Sequence, residues 1–96
     1  MELLREALPS DKTLSIAVAA NPEKLKTTWV AAYDYEKLAQ CTDYLILMAY
    51  DEHCQGGSPG PVASIDFVEK SIKVVLENVS KDKLVLGIPL YGRFWK

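Results

Sequence analysis

Residues 43 to 50, DYLILMAY, run from Tyr44 to Tyr50 without one polar interruption and then meet Asp51, Glu52 and His53. A strand with one wet face alternates polar and apolar residues. An unbroken apolar run belongs to a strand covered on both faces, as in parallel sheets flanked by helices. Parallel neighbours need crossovers of about a dozen residues or more. Any partner strand must therefore lie well away in the chain, beyond a helix.

Two such partners are present. TLSIAVAA (13–20) sets Leu14, Ile16 and Val18 among small residues and is stopped by Asn21-Pro22. KLVLGIPL (83–90) is a second apolar run, leading into Tyr91, Gly92 and Arg93. Helical patterns fill the intervals. Residues 2–8 place Leu3, Leu4, Ala7 and Leu8 on one face before Pro9. Asp34 can cap a short helix to about Gln40 that buries Leu38 and Ala39. Ser64 can cap a helix over 65–79, with Val68, Ile72, Val75, Leu76 and Val79 inside and Glu69, Lys70, Lys73 and Glu77 in water. Residues 21–33 show no clean period and suit a loop with a helical turn, and the glycines and prolines of 54–64 make a loop by backbone chemistry. The order is helix, strand, helix, strand, helix, strand: an α/β unit with three parallel strands and right-handed crossovers.

With 96 residues, 49% of them apolar and 25% charged, the chain is one globular domain or a piece of one. A net charge of −2 with scattered lysines and arginines argues against nucleic acid and against a basic membrane patch. No apolar stretch approaches the roughly 20 residues that cross a bilayer. MELLREALPS lacks the pattern of a secretory signal. Cys41 and Cys54 flank a strand, which sets them about 30 Å apart or more. A disulfide needs Cα atoms within about 7 Å, so free thiols are expected.

Polar side chains gather after each strand: Asn21, then Tyr50 to His53, then Tyr91 and Arg93. Parallel α/β folds build their sites at that end of the sheet. No G-x-G-x-x-G or P-loop pattern follows a strand, which favours a closed barrel over a nucleotide fold and calls for no cofactor.

YDYEKLAQCTDYLILMAYDEH (33–53) followed by LVLGIPLYGRFWK (84–96) resembles glycoside hydrolase family 18, the chitinase-like barrels. MAYD and GIPLYGR at this separation carry the likeness. GPVAS (60–64) resembles a segment of bacterial cell-wall and spore-cortex hydrolases. The resemblance implies a (β/α)₈ barrel, of which 1–96 would hold strands five to seven. It implies a glycosidase acting on β-1,4-linked N-acetylglucosamine polymers, peptidoglycan or chitin, in an extracellular, cell-wall or spore setting. The family's D-x-x-D-x-D-x-E run, whose Glu is the general acid, does not occur; Asp34-Tyr35-Glu36 is the nearest fragment and falls at a helix start. The expectation is a partial catalytic domain that turns nothing over alone. A non-catalytic, lectin-like relative is the other reading.

Family 18 departs from the two-carboxylate rule of most glycosidases. The resemblance implies that the substrate's own 2-acetamido oxygen attacks the anomeric carbon. Tyr50 matches the tyrosine that donates to that group, and Asp51 the acid beside it. Met48, two residues earlier on the same strand face, should line the same subsite or pack as core. Tyr91 and Arg93 match sugar or carboxylate contacts of the next strand, and Arg93 also suits a rim salt bridge. Trp29, Phe94 and Trp95 suit sugar stacking, and Trp95 suits barrel core equally. Glu52 and His53 with Asp51 and Cys54 invite a metal reading, but adjacent residues converge poorly on one ion, so no metal is expected. AVAAN after the first strand departs from the family's proline-containing ending, which leaves Asn21 without an inherited role; Phe67 stands where relatives often show Trp. Three strands alone leave an uncovered inner face, so the isolated piece is expected to associate with a second copy.

Overall fold

A computed structural model of the chain describes residues 2–24, 33–53 and 57–95. Its elements run α1 (Glu2–Ala7), β1 (Ser15–Ala19), α2 (Tyr35–Cys41), β2 (Tyr44–Met48) and α3 (Ile65–Leu76). A 3₁₀ turn, Lys81–Lys83, then leads into β3 (Leu84–Leu86). The strands form one sheet in the order β1-β2-β3, both pairs parallel. The α/β reading and the parallel sheet therefore hold.

Register sorts the side chains. Val18, Leu47 and Leu86 share one row, as do Ile16, Leu45 and Leu84. Val18, Leu45 and Leu47 are fully buried and pack with Ala39 of α2, Val75 of α3, and Val79. The alternate row, Ala17–Ile46–Val85, points away from that cluster. Ala17 is exposed, Ile46 half-buried and Val85 44% exposed. Along β1 and β2 one face of the sheet is helix-covered and dry, with Leu86 at its edge 37% exposed, and the other is more open.

Local rules explain the helix starts. Asp34 accepts the Lys37 N–H (3.2 Å) at the head of α2, and Ser64 accepts the Phe67 N–H (3.2 Å) at the head of α3. At the tail of α2 the Lys83 ammonium donates to the carbonyls of Ala39 (2.6 Å) and Thr42 (3.1 Å).

Three expectations need correction. The third strand was expected over 83–90 and ends at Leu86; the Gly87 N–H still reaches the Leu47 carbonyl (2.9 Å), but Pro89 has no N–H to continue the ladder. Leu76 is 40% exposed, and Ser71 takes the inner position instead, fully buried with its hydroxyl donating to the Phe67 carbonyl (2.7 Å). No residue of α1 is buried, and Leu3 is 81% exposed, because the described residues offer its apolar stripe nothing to pack on. Cys41 is a free thiol. Trp29 and Cys54 lie outside the described residues.

Candidate active site

The site forms where β2 and β3 end. Ala49 is buried, Tyr50 half-buried, and Asp51 exposed with φ of 58°. That left-handed backbone is uncommon outside glycine, and aspartate is among the residues that tolerate it. The Oδ1 of Asp51 accepts from the Tyr91 hydroxyl and from the Arg93 guanidinium (3.0 Å). Tyr50 stands edge-on to Tyr91, ring centroids 6.3 Å apart at 84°. The Arg93 guanidinium lies 5.9 Å from the centre of the Tyr91 ring. Four residues from the segments that follow β2 and β3 thus meet, and the sequence had singled out all four.

Gly87 makes the approach possible. A Cβ there would sit 3.0 Å from the Leu47 carbonyl oxygen and 3.4 Å from the Tyr50 ring. The third strand can pass beside Tyr50 because this position has no side chain.

Hydrogen bonding sets the protonation. The Tyr91 hydroxyl, and after it the Arg93 guanidinium, hold the Asp51 carboxyl below its ordinary value. Reciprocally, the carboxylate holds the Tyr91 proton and raises that phenol. The group is therefore a carboxylate flanked by a neutral phenol and a cation. The Oδ2 of Asp51 carries no hydrogen bond among the described residues.

Met48 closes β2 as the register partner of Ala19 and is half-buried; Trp95 is half-buried beyond Arg93. Neither adds a hydrogen bond to the group. Phe94 is 90% exposed. Asn21 is buried, and its carbonyl accepts the Lys24 N–H (3.2 Å). Among the described residues no cluster of three or more His, Cys, Asp or Glu is placed to hold a metal. Glu52 and His53 have other partners. The Glu52 carboxylate accepts the Ser64 N–H (2.9 Å), and His53 Nδ1 bonds the Pro61 carbonyl (2.9 Å). The signal missed in the sequence is that Ser64 heads a helix whose third residue, Phe67, cannot complete a capping box.

The chain is similar to several known proteins along most of its length. The cortical fragment-lytic enzyme of Bacillus subtilis is 33% identical over 99 aligned positions, covering 98% of this chain and 23% of that protein. The solved structure of a chitinase from Chromobacterium violaceum superposes with a TM-score of 0.85 at 34% identity, covering 94% of this chain and 29% of the other. The Bacillus cereus spore cortex-lytic enzyme SleL gives 0.80 at 25% identity, covering 91% and 20%. The chain spans about a fifth to a quarter of the length of the curated relatives it matches. The model for glycosyl hydrolases family 18 matches residues 1–96, and the chain belongs to that family.

Proposed function

We propose that residues 1–96 supply strands five to seven of a family 18 (β/α)₈ barrel and the acetamido-binding half of its active site. The substrate is a β-1,4-linked N-acetylglucosamine polymer. Relatives named for spore-cortex lysis, together with GPVAS at 60–64, favour peptidoglycan over chitin.

The supporting observation is the convergence of Tyr50, Asp51, Tyr91 and Arg93 at the C-terminal edge of the sheet. In the proposed reaction the acetamido oxygen bonds to the anomeric carbon while the glycosidic C–O bond breaks. The leaving oxygen takes its proton from an acid outside these residues, and water later opens the cyclic intermediate. Positive charge spreads over the acetamido group in the transition state. The Tyr50 hydroxyl donates to its oxygen, and the Oδ2 of Asp51 receives a sugar hydroxyl or the acetamido N–H. Met48 lines the subsite floor, and Tyr91, Arg93 and Trp95 bind sugar.

Tyr50→Phe in the complete barrel is expected to lower kcat about 100-fold with KM little changed, the behaviour of a donor that works mainly in the transition state. Unchanged hydrolysis of a chitooligosaccharide would overturn the reading. The 96-residue chain alone should bind such a saccharide without cleaving it. Its open face, Ala17–Ile46–Val85, and the exposed Ile88 and Leu90 should drive it to self-associate. Light scattering at micromolar concentration checks this, and a monodisperse monomer refutes it.

A further inference from the structure

We propose that Glu52 and His53 are positioning residues that, with Gly60, clamp the turn carrying Asp51 to the head of α3 and thereby hold its carboxylate against Tyr91 and Arg93. The inference deepens the reading above, on which its consequence for saccharide binding rests.

The left-handed backbone at Asp51 is unfavourable for an L-residue and persists where neighbours over-determine it. The next two residues do so. The Glu52 N–H donates to the Val62 carbonyl (2.8 Å), and the Glu52 carboxylate accepts the Ser64 N–H (2.9 Å). Since the Pro61 carbonyl can only accept, His53 Nδ1 must carry the proton of their 2.9 Å bond. The His53 ring lies so close to Gly60 that a Cβ there would come within 2.4 to 2.5 Å of three ring atoms. Each of Gly60, Pro61, Val62 and Ser64 thus has a specific duty toward residue 52 or 53. The pattern GPVAS gains a physical meaning: it is a receptacle for the two residues that follow Asp51.

The far end of the clamp is firm. In a capping box, an acid at the third helical position reaches back to the N-cap N–H. In α3 that position is Phe67, so Glu52 performs the reach from a neighbouring loop. Its negative charge at a helix N-terminus is favourable. The helix is in turn locked into the core by Ser71 and Val75, both fully buried. Rigidity therefore passes from the core through Ser64 and Glu52 to Asp51.

The test uses the full-length protein without ligand, following the Asp51 carboxyl by ¹³C NMR against pH, with Asp51→Asn to identify the resonance. In Glu52→Ala and His53→Leu the Asp51 midpoint should rise toward the ordinary aspartate range, as Tyr91 and Arg93 lose their alignment. Glu52→Gln, whose amide oxygen still accepts the Ser64 N–H, should stay near wild type. If Glu52→Ala does not fold, His53→Leu is read in the same way. An Asp51 midpoint unmoved in folded variants, with only the melting temperature lowered, would reduce the clamp to loop fastening and overturn the proposal. Chitotetraose affinity then forms the second arm, expected to fall about tenfold in Glu52→Ala, as for loss of one charged hydrogen bond. A shifted midpoint with unchanged affinity would uphold the clamp and sink Asp51 as a sugar contact.

Discussion

Asp43 and Asp51 bracket β2, one just before the strand and one beyond its end, and their partners differ in kind. Asp43 Oδ2 accepts the Leu14 backbone N–H (2.7 Å) and the Arg5 guanidinium (2.9 Å), while its own N–H donates to the Leu14 carbonyl (2.7 Å). Arg5 also donates to the Lys12 carbonyl (2.9 Å). Among the described residues Asp51 accepts from side chains alone, Tyr91 and Arg93. Both carboxyls are held below their ordinary value, but the leading cause is a main-chain N–H for Asp43 and a phenol for Asp51. A main-chain donor is fixed in place by the fold. A phenol or guanidinium can rotate away, as the proposed binding of a sugar hydroxyl would require. One rim of the sheet is a joint, and the other is a socket.

The comparison can be broken by exchanging the two. Asp43→Ala should lower the thermal midpoint by several degrees and Asp51→Ala by much less, while saccharide binding should respond in the opposite order. Calorimetry with matched titrations checks both, and equal melting losses would erase the distinction. Next in size, Lys83→Met strips the Ala39 and Thr42 carbonyls of their ammonium and should cost about 1 kcal/mol by urea unfolding, with the Asp51 group unaffected. The smallest effect is with pH. Both aspartates have lowered folded-state values, so their contributions are complete above the ordinary carboxylate range, about pH 4, and fade as pH falls through the folded values. Asp43→Asn should blunt that acid sensitivity more than Asp51→Asn in melts from pH 7 to 2. Tyr91 is raised, so its share is complete below its ordinary value and fades as pH climbs through the folded one, above about pH 10.

What could be read from residues alone follows from how local each signal is. Asp34 and Ser64 announced helix starts because a cap needs only a side chain and an N–H three residues on. The run 43–50 announced a doubly covered strand, and among the described residues the face with Ile46 and Met48 is half-buried. Strand length was less legible, since Leu84 to Leu90 stay apolar past the point where the ladder stops. Ser71 hid from a hydrophobic reading because its hydroxyl is satisfied by its own helix, which lets a small polar residue sit at the helix–sheet contact. Tyr50, Asp51, Tyr91 and Arg93 were singled out by the polar residues that follow apolar runs and, above all, by the family resemblance, although Tyr91 and Arg93 lie well past the end of β3 at Leu86. Their bonding required the folded register, because it joins residues some forty apart in the chain. The partners of Glu52 and His53 were not legible, because residue type cannot reveal a waiting Pro61 carbonyl or Ser64 N–H.

The central place of β2 also has a consequence during synthesis. Ser15 pairs with Tyr44 and Leu45 with Leu84, so β1 and β2 can zip together before β3 has left the ribosome. At about 5 to 20 residues per second, the nascent sheet then waits a few seconds with its driest strand bare along one side. That interval, more than anything in the finished molecule, is when a chaperone or a wrong strand would find it.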